Sequence, residues 1–203
     1  MIITQSFYFS LFFLFTTISF SAQKNSNKDK FTETVGQQEG DLNDDEKADQ
    51  IIVSTIKTGD IKPFKLEILL SQPNNSQLKS AASSVKILEQ QYVAEKYGMK
   101  KNFRVPDIFI ENGKLTILTD INGLKSRYVF RYHKGHFELT NISRIRSDGR
   151  EKTTETEIDL LKGTKLVYEQ DFGPNKKYKV REKFKPKALP KIQDLTASDL
   201  AKY

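Results

Sequence analysis

The stretch Arg127-Tyr128-Val129-Phe130-Arg131-Tyr132-His133-Lys134-Gly135-His136-Phe137-Glu138-Leu139 sets two apolar runs on either side of a two-residue turn. In an extended chain successive side chains point to opposite faces, so Tyr128, Phe130 and Tyr132 share one face, and Arg127, Val129 and Arg131 the other. One face is predicted to be buried and the other wet. Working outward, the same punctuation recurs at Asn112-Gly113 and Asn122-Gly123 upstream, and at Asp148-Gly149, Lys162-Gly163 and Phe172-Gly173 downstream. Between these turns run β-branched and aromatic segments: Ile108 to Ile110, Leu115 to Leu118, His136 to Ile145, Thr156 to Leu161, Leu166 to Tyr168 and Tyr178 to Phe184. Ile51 to Lys57 and Phe64 to Leu70 precede them. Turn signals at this spacing argue for an antiparallel meander. The expectation is one mainly β domain, with sheet, sandwich and open barrel left open. Val85 to Tyr97 fits a helix or a strand, and the strand reading, ending in an irregular loop, is preferred.

Immediately before the first of these strands lies Gly40-Asp41-Leu42-Asn43-Asp44-Asp45-Glu46-Lys47-Ala48-Asp49-Gln50. Counted from Asp41, side-chain oxygens fall at positions one, three, five and nine: Asp41, Asn43, Asp45 and Asp49. Lys47, at position seven, offers a backbone carbonyl. A tight loop that turns alternate side chains inward can surround one hard cation, and Ca2+ takes six to eight oxygen ligands. The bland alternative is an acidic, solvated turn. These residues resemble the DxNxDxxxD calcium loop of FG-GAP/VCBS repeats, matching at Gly40, Asp41, Asn43, Asp45 and Asp49. The resemblance implies a calcium site followed at once by a strand. It departs at Glu46, where that family usually carries glycine because the backbone there often needs a positive φ. An EF-hand fits poorly, since its closing glutamate would fall on Ile52. The loop has no second copy; Asp120-Ile121-Asn122-Gly123 imitates only its opening and reads as a turn. A propeller, which needs several repeats, is therefore not expected. More loosely, the chain resembles uncharacterised secreted proteins of Bacteroidota that share the loop, several hairpins and an element like Leu189-Pro190-Lys191. That likeness implies architecture and no activity.

The first residues, with the apolar run Phe7 to Phe20, read as a signal peptide over 1–22, an uncleaved anchor being the alternative. Residues 23–39 read as a flexible linker, 40–186 as the β-rich domain and 187–203 as a tail in which Thr196 to Leu200 can start a helical turn. Leu189, Ile192 and Leu195 favour docking of that tail. With no cysteine, the chain has no disulfide or thiol chemistry, and an ion is the available staple. A secreted or periplasmic location follows from the apolar N-terminus.

Catalytic signals are weak. His133 and His136 flank a turn with no further His or Cys to complete a metal site. Neither a nucleophile elbow nor a phosphate-binding glycine loop is present. Glu67, Glu111, Glu138, Glu155 and Glu157 are candidate carboxylates for an envelope hydrolase, the least favoured reading. The net charge is +7, and the basic run near the C-terminus sets Lys177, Lys179, Arg181, Lys183 and Lys185 in alternation. On one face of a strand these would track an acidic polysaccharide, lipopolysaccharide or DNA. The alternative is an edge strand guarded by lysines. The preferred reading is a non-catalytic binding or structural protein with one calcium loop; its partner would be an anionic envelope polymer or another envelope protein.

Overall fold

The computed structural model describes residues 30–57, 62–73, 75–92, 103–149, 152–171, 177–185 and 187–203. The expected signal peptide lies outside the described residues, as do the first part of the expected linker and the Phe172-Gly173 turn. Strands β1 (Glu33–Gly40), β2 (Asp49–Thr55), β3 (Phe64–Gln72) and β4 (Asn75–Ser84) form a four-stranded antiparallel sheet in chain order. β5 (Gln91–Tyr92) and β6 (Phe103–Arg104) pair with each other. A seven-stranded meander follows: β7 (Asp107–Glu111), β8 (Lys114–Ile121), β9 (Leu124–His133), β10 (His136–Ser147), β11 (Lys152–Asp159), β12 (Thr164–Asp171) and β13 (Lys177–Lys183). The fold is thus mainly β, with two antiparallel sheets and no closed barrel.

The glycine turns do what their chemistry allows. Asn112-Gly113, Asn122-Gly123 and Lys134-Gly135 all have positive φ at both positions (50° and 67°, 53° and 76°, 48° and 82°). Two consecutive positive values define the type I′ turn, whose twist matches that of the paired strands. Asp120 to Gly123 is accordingly the end of β8 and a hairpin turn.

Both sheets contribute to one apolar cluster. Ile51, Val53, Phe64, Leu66 and Ile68 enter it from the smaller sheet, and Leu115, Ile117, Tyr128 and Phe130 from the larger. Along β10, Phe137 and Leu139 are buried and so is Ile142, which breaks a strict period of two. The pairing with β9 slips between Leu139 and Asn141, so Thr140 is the extra residue and Ile142 returns to the core face. Thr140 is itself buried, and its hydroxyl donates to the Val129 carbonyl at 3.1 Å.

Two expectations need correction, and a third, docking of the tail, holds. Residues Glu33 to Gly40 are not linker: they pair with β2 as a polar edge strand. A strand from Val85 is absent; β4 ends at Ser84, and Ile87 and Leu88 are buried in irregular chain before β5, while 93–97 lie outside the described residues. The tail is an integral part of the domain. Leu139 N–H donates to the Pro190 carbonyl at 2.9 Å, and Ile192, Leu195 and Leu200 are buried. The expected helical turn is there as α1 (Ala197–Ala201), with Thr196 and Asp199 in a capping box. Arg144 donates to the Leu200 carbonyl, satisfying an acceptor at the end of α1, and to a backbone oxygen of Tyr203 beyond it. Among the described residues no helix is long and apolar enough to cross a membrane.

Candidate functional site

The acidic loop joins β1 to β2, and its geometry starts from Asp41. The Asp41 Oδ1 atom accepts the backbone N–H groups of Asn43 (3.1 Å), Asp44 (2.8 Å) and Asp45 (3.3 Å), and Oδ2 accepts that of Glu46 (2.8 Å). A short acidic side chain bonding forward to its own backbone winds the chain into a tight turn. Desolvation pushes the Asp41 carboxyl up, but these N–H bonds, Glu46 first, outweigh it and hold the group below its ordinary value.

Asn43 and Asp45 lie on the same turn. Asn43 Oδ1 accepts from Asp45 N–H at 3.2 Å, and Asn43 Nδ2 donates to Asp45 Oδ2 at 3.3 Å. The Asp45 N–H therefore points at oxygens of both Asp41 and Asn43. Asp45 also accepts from Lys47 N–H at 3.0 Å and from the Ser71 hydroxyl at 3.2 Å. Glu46 has φ 62° and Asp44 φ 61°. The position occupied by glycine in the resembling loops is thus left-handed here too, with a residue that adopts that region at a cost.

Asp49 is placed differently from the other acids. It is fully buried, and its two oxygens accept the N–H groups of Leu42 at 2.8 Å and Ser71 at 2.9 Å. Leu42, 2% exposed, plugs the loop into the core. The Lys47 ammonium donates to the carbonyls of Gln72 and Pro73 at 3.1 and 3.0 Å, and so ties the loop to the end of β3. On the other side Gly113, at φ 67°, packs closely: a Cβ there would stand 3.1 Å from Asp44 Oδ1 and oblige that carboxylate to give way. The spacing of acids pointed to Asp41, Asn43, Asp45 and Asp49; it gave no sign that Leu42 would anchor the loop from within, or that Ser71 and Gly113 would meet it from far along the chain. As the side chains stand, no group of three His, Cys, Asp or Glu among the described residues forms a ready metal cage.

The other candidates are scattered. β13 is the edge of the seven-stranded sheet, and its pairing with β12 slips where Tyr178 and Val180 oppose the consecutive residues Tyr168 and Val167. Lys179 is the extra residue, so the backbone register slips within the expected basic row; Arg181 and Lys183 follow the slip, and Lys185 lies past the strand. Phe184, just past the strand, is 39% exposed. His133 and His136 pair across the exposed Lys134-Gly135 turn. Glu67 ion-pairs with Lys65 at 3.3 Å, Glu138 with Arg131 at 3.4 Å and Glu111 with Arg127. Glu155 and Glu157 sit half-buried on β11, and none of the five glutamates opposes another in strand register.

Neither a protein-family model, nor a curated protein, nor a solved structure matches the chain.

Proposed function

We propose that the protein is a non-catalytic binding or structural protein, secreted or periplasmic, in which the loop Asp41–Asp49 holds one calcium ion. The observation that carries this reading is an unbalanced charge. The loop has five acidic side chains and one lysine, in a chain whose net charge is +7. That lysine, Lys47, spends its ammonium on two carbonyls, and no ion pair to any loop carboxylate is present among the described residues. Close like charges in a watery setting repel by about 1 kcal/mol per pair, and a divalent ion removes that repulsion. The donors are of the hard oxygen type that calcium prefers. Asp41, Asn43 and Asp45 would hold the ion with the Lys47 carbonyl and water. The buried bonds of Asp49 suit a clasp that closes the loop beneath it. The apolar N-terminal run supports an exported location.

Calcium titration of the protein by calorimetry, with thermal melting in parallel, tests the proposal. Wild type should bind calcium more tightly than magnesium, because an irregular set of carboxylate, amide and carbonyl oxygens suits the larger ion better than one that demands a near-ideal octahedron. Saturation at a hundred times the Kd should stabilise it by about 2.7 kcal/mol, with no such gain in Asp41→Ala/Asp45→Ala. No response of wild type at millimolar calcium would reduce the loop to an acidic turn.

A further inference from the structure

The four-stranded sheet meets the larger one where β1 approaches β7 and β4 approaches β10. Farther along the meander the tail takes over as the cover, and it leaves a cavity of about 580 Å³ between itself, strands β11 and β12 and the residues just past β13. Ile158 and Leu160, 6% and 8% exposed, form its floor, and Leu189 and Pro190 of the tail form a wall. Phe184 also lines it and is 39% exposed. The rest of the lining is Ala188, Tyr203 and three lysines, Lys165, Lys185 and Lys187. Lys165 leans on Glu182 at 3.6 Å, whereas Lys185 and Lys187 have no carboxylate partner among the described residues.

An apolar recess and a cluster of unneutralised lysines select together for a molecule with both characters. A polyanion gains nothing from Ile158, Leu160 and Leu189, and a neutral apolar compound gains nothing from the ammonium groups. The volume lies within the range of small-molecule sites, roughly 300–1,000 Å³. A membrane surface is matched by a protruding apolar patch, not by a recess walled by a tail. We propose that this cavity binds one fatty-acid-type carboxylate, its chain against Ile158, Leu160 and Leu189 and its head group at Lys185 and Lys187. The proposal is independent of the acidic loop.

The test is calorimetric titration of the full chain with octanoate, decanoate and laurate, each below its micellar concentration, and with dodecanol. Saturable one-to-one binding is expected, tightening roughly fourfold for each added methylene. Lys185→Ala/Lys187→Ala should weaken laurate about fivefold, as loss of two exposed ion pairs does, and leave dodecanol unchanged. Both lysines are exposed, so the variant should melt with the wild type and exclude unfolding as the cause. Absence of saturation, equal loss for acid and alcohol, or affinity independent of chain length would each overturn the assignment. Binding to anionic vesicles with none to monomeric laurate would overturn it too, in favour of a membrane-facing surface.

Discussion

Asp49, where the acidic loop enters β2, and Lys183, at the end of the basic edge strand β13, both stand at the margin of a sheet, yet only the first is buried. The acidic region is anchored through one carboxylate that receives two buried N–H groups, and its other acids project from that anchor. In the basic region Lys183 and Lys185 are solvated, and the strand slips register at Lys179. An isolated buried donor costs about 1–3 kcal/mol, whereas an exposed lysine costs nothing to leave alone. The acidic loop therefore has a shape that its sequence must defend. The basic strand carries a composition that suits an edge and keeps other strands away.

The largest break in that contrast should come from Asp49→Ala. It strands the N–H groups of Leu42 and Ser71 in the core, and urea unfolding should show a loss of about 3 kcal/mol. Lys183→Ala in the same assay should stay within about 0.5 kcal/mol of wild type. A comparable loss from both would erase the distinction.

Glu46→Gly acts in the opposite direction. Glu46 holds φ 62°, and replacement by glycine removes the Cβ penalty at the expense of chain entropy. Among the described residues the Glu46 side chain makes no hydrogen bond or ion pair that anchors the loop, so a net gain of about 0.5–1 kcal/mol is expected in thermal melts. Destabilisation would mean that the carboxylate itself holds the turn.

These two residues also show which parts of the molecule its sequence declares. Hairpins built on local rules, such as Tyr128 to Leu139 around Lys134-Gly135, are visible because period, turn and composition all lie within a dozen residues. The polar edge strand β1 is hidden: its alternation is blurred because neither face is fully buried. β4 is hidden in a run of serine and alanine for a similar reason. The slips at Thr140 and Lys179 leave no local mark, and each moves every later residue of its strand to the other face. In the loop, spacing identified Asp41, Asn43 and Asp45 as neighbours. It could not distinguish Asp49, because one of its two donors is on Ser71, 22 residues on.

The smallest effect, and the finest comparison, lies between two carboxylates that are both held below their ordinary range. Asp199 is lowered to about 2, first by the Lys202 ammonium and then by the Thr196 hydroxyl and N–H. For Asp41, desolvation acts upward and is outweighed by N–H groups of its own loop, Glu46 first, with no cation contributing. A depressed folded pKa gives stability that is fully present above the unfolded value of 3.8 and is lost as pH falls through the folded value. For Asp199 that window runs from 3.8 down to about 2. The advantage of wild type over Asp199→Asn should therefore shrink across it, and for Asp41→Asn it should begin to shrink below 3.8. Salt separates the two. The contact of Asp199 with Lys202 is an exposed ion pair and is screened, whereas the amide bonds to Asp41 are short-range dipolar contacts. Raising the ionic strength to about 1 M, where the Debye length is about 3 Å, should narrow the Asp199 difference and leave that of Asp41. Equal salt sensitivity would show that the repulsion among the loop acids, rather than its N–H groups, governs Asp41.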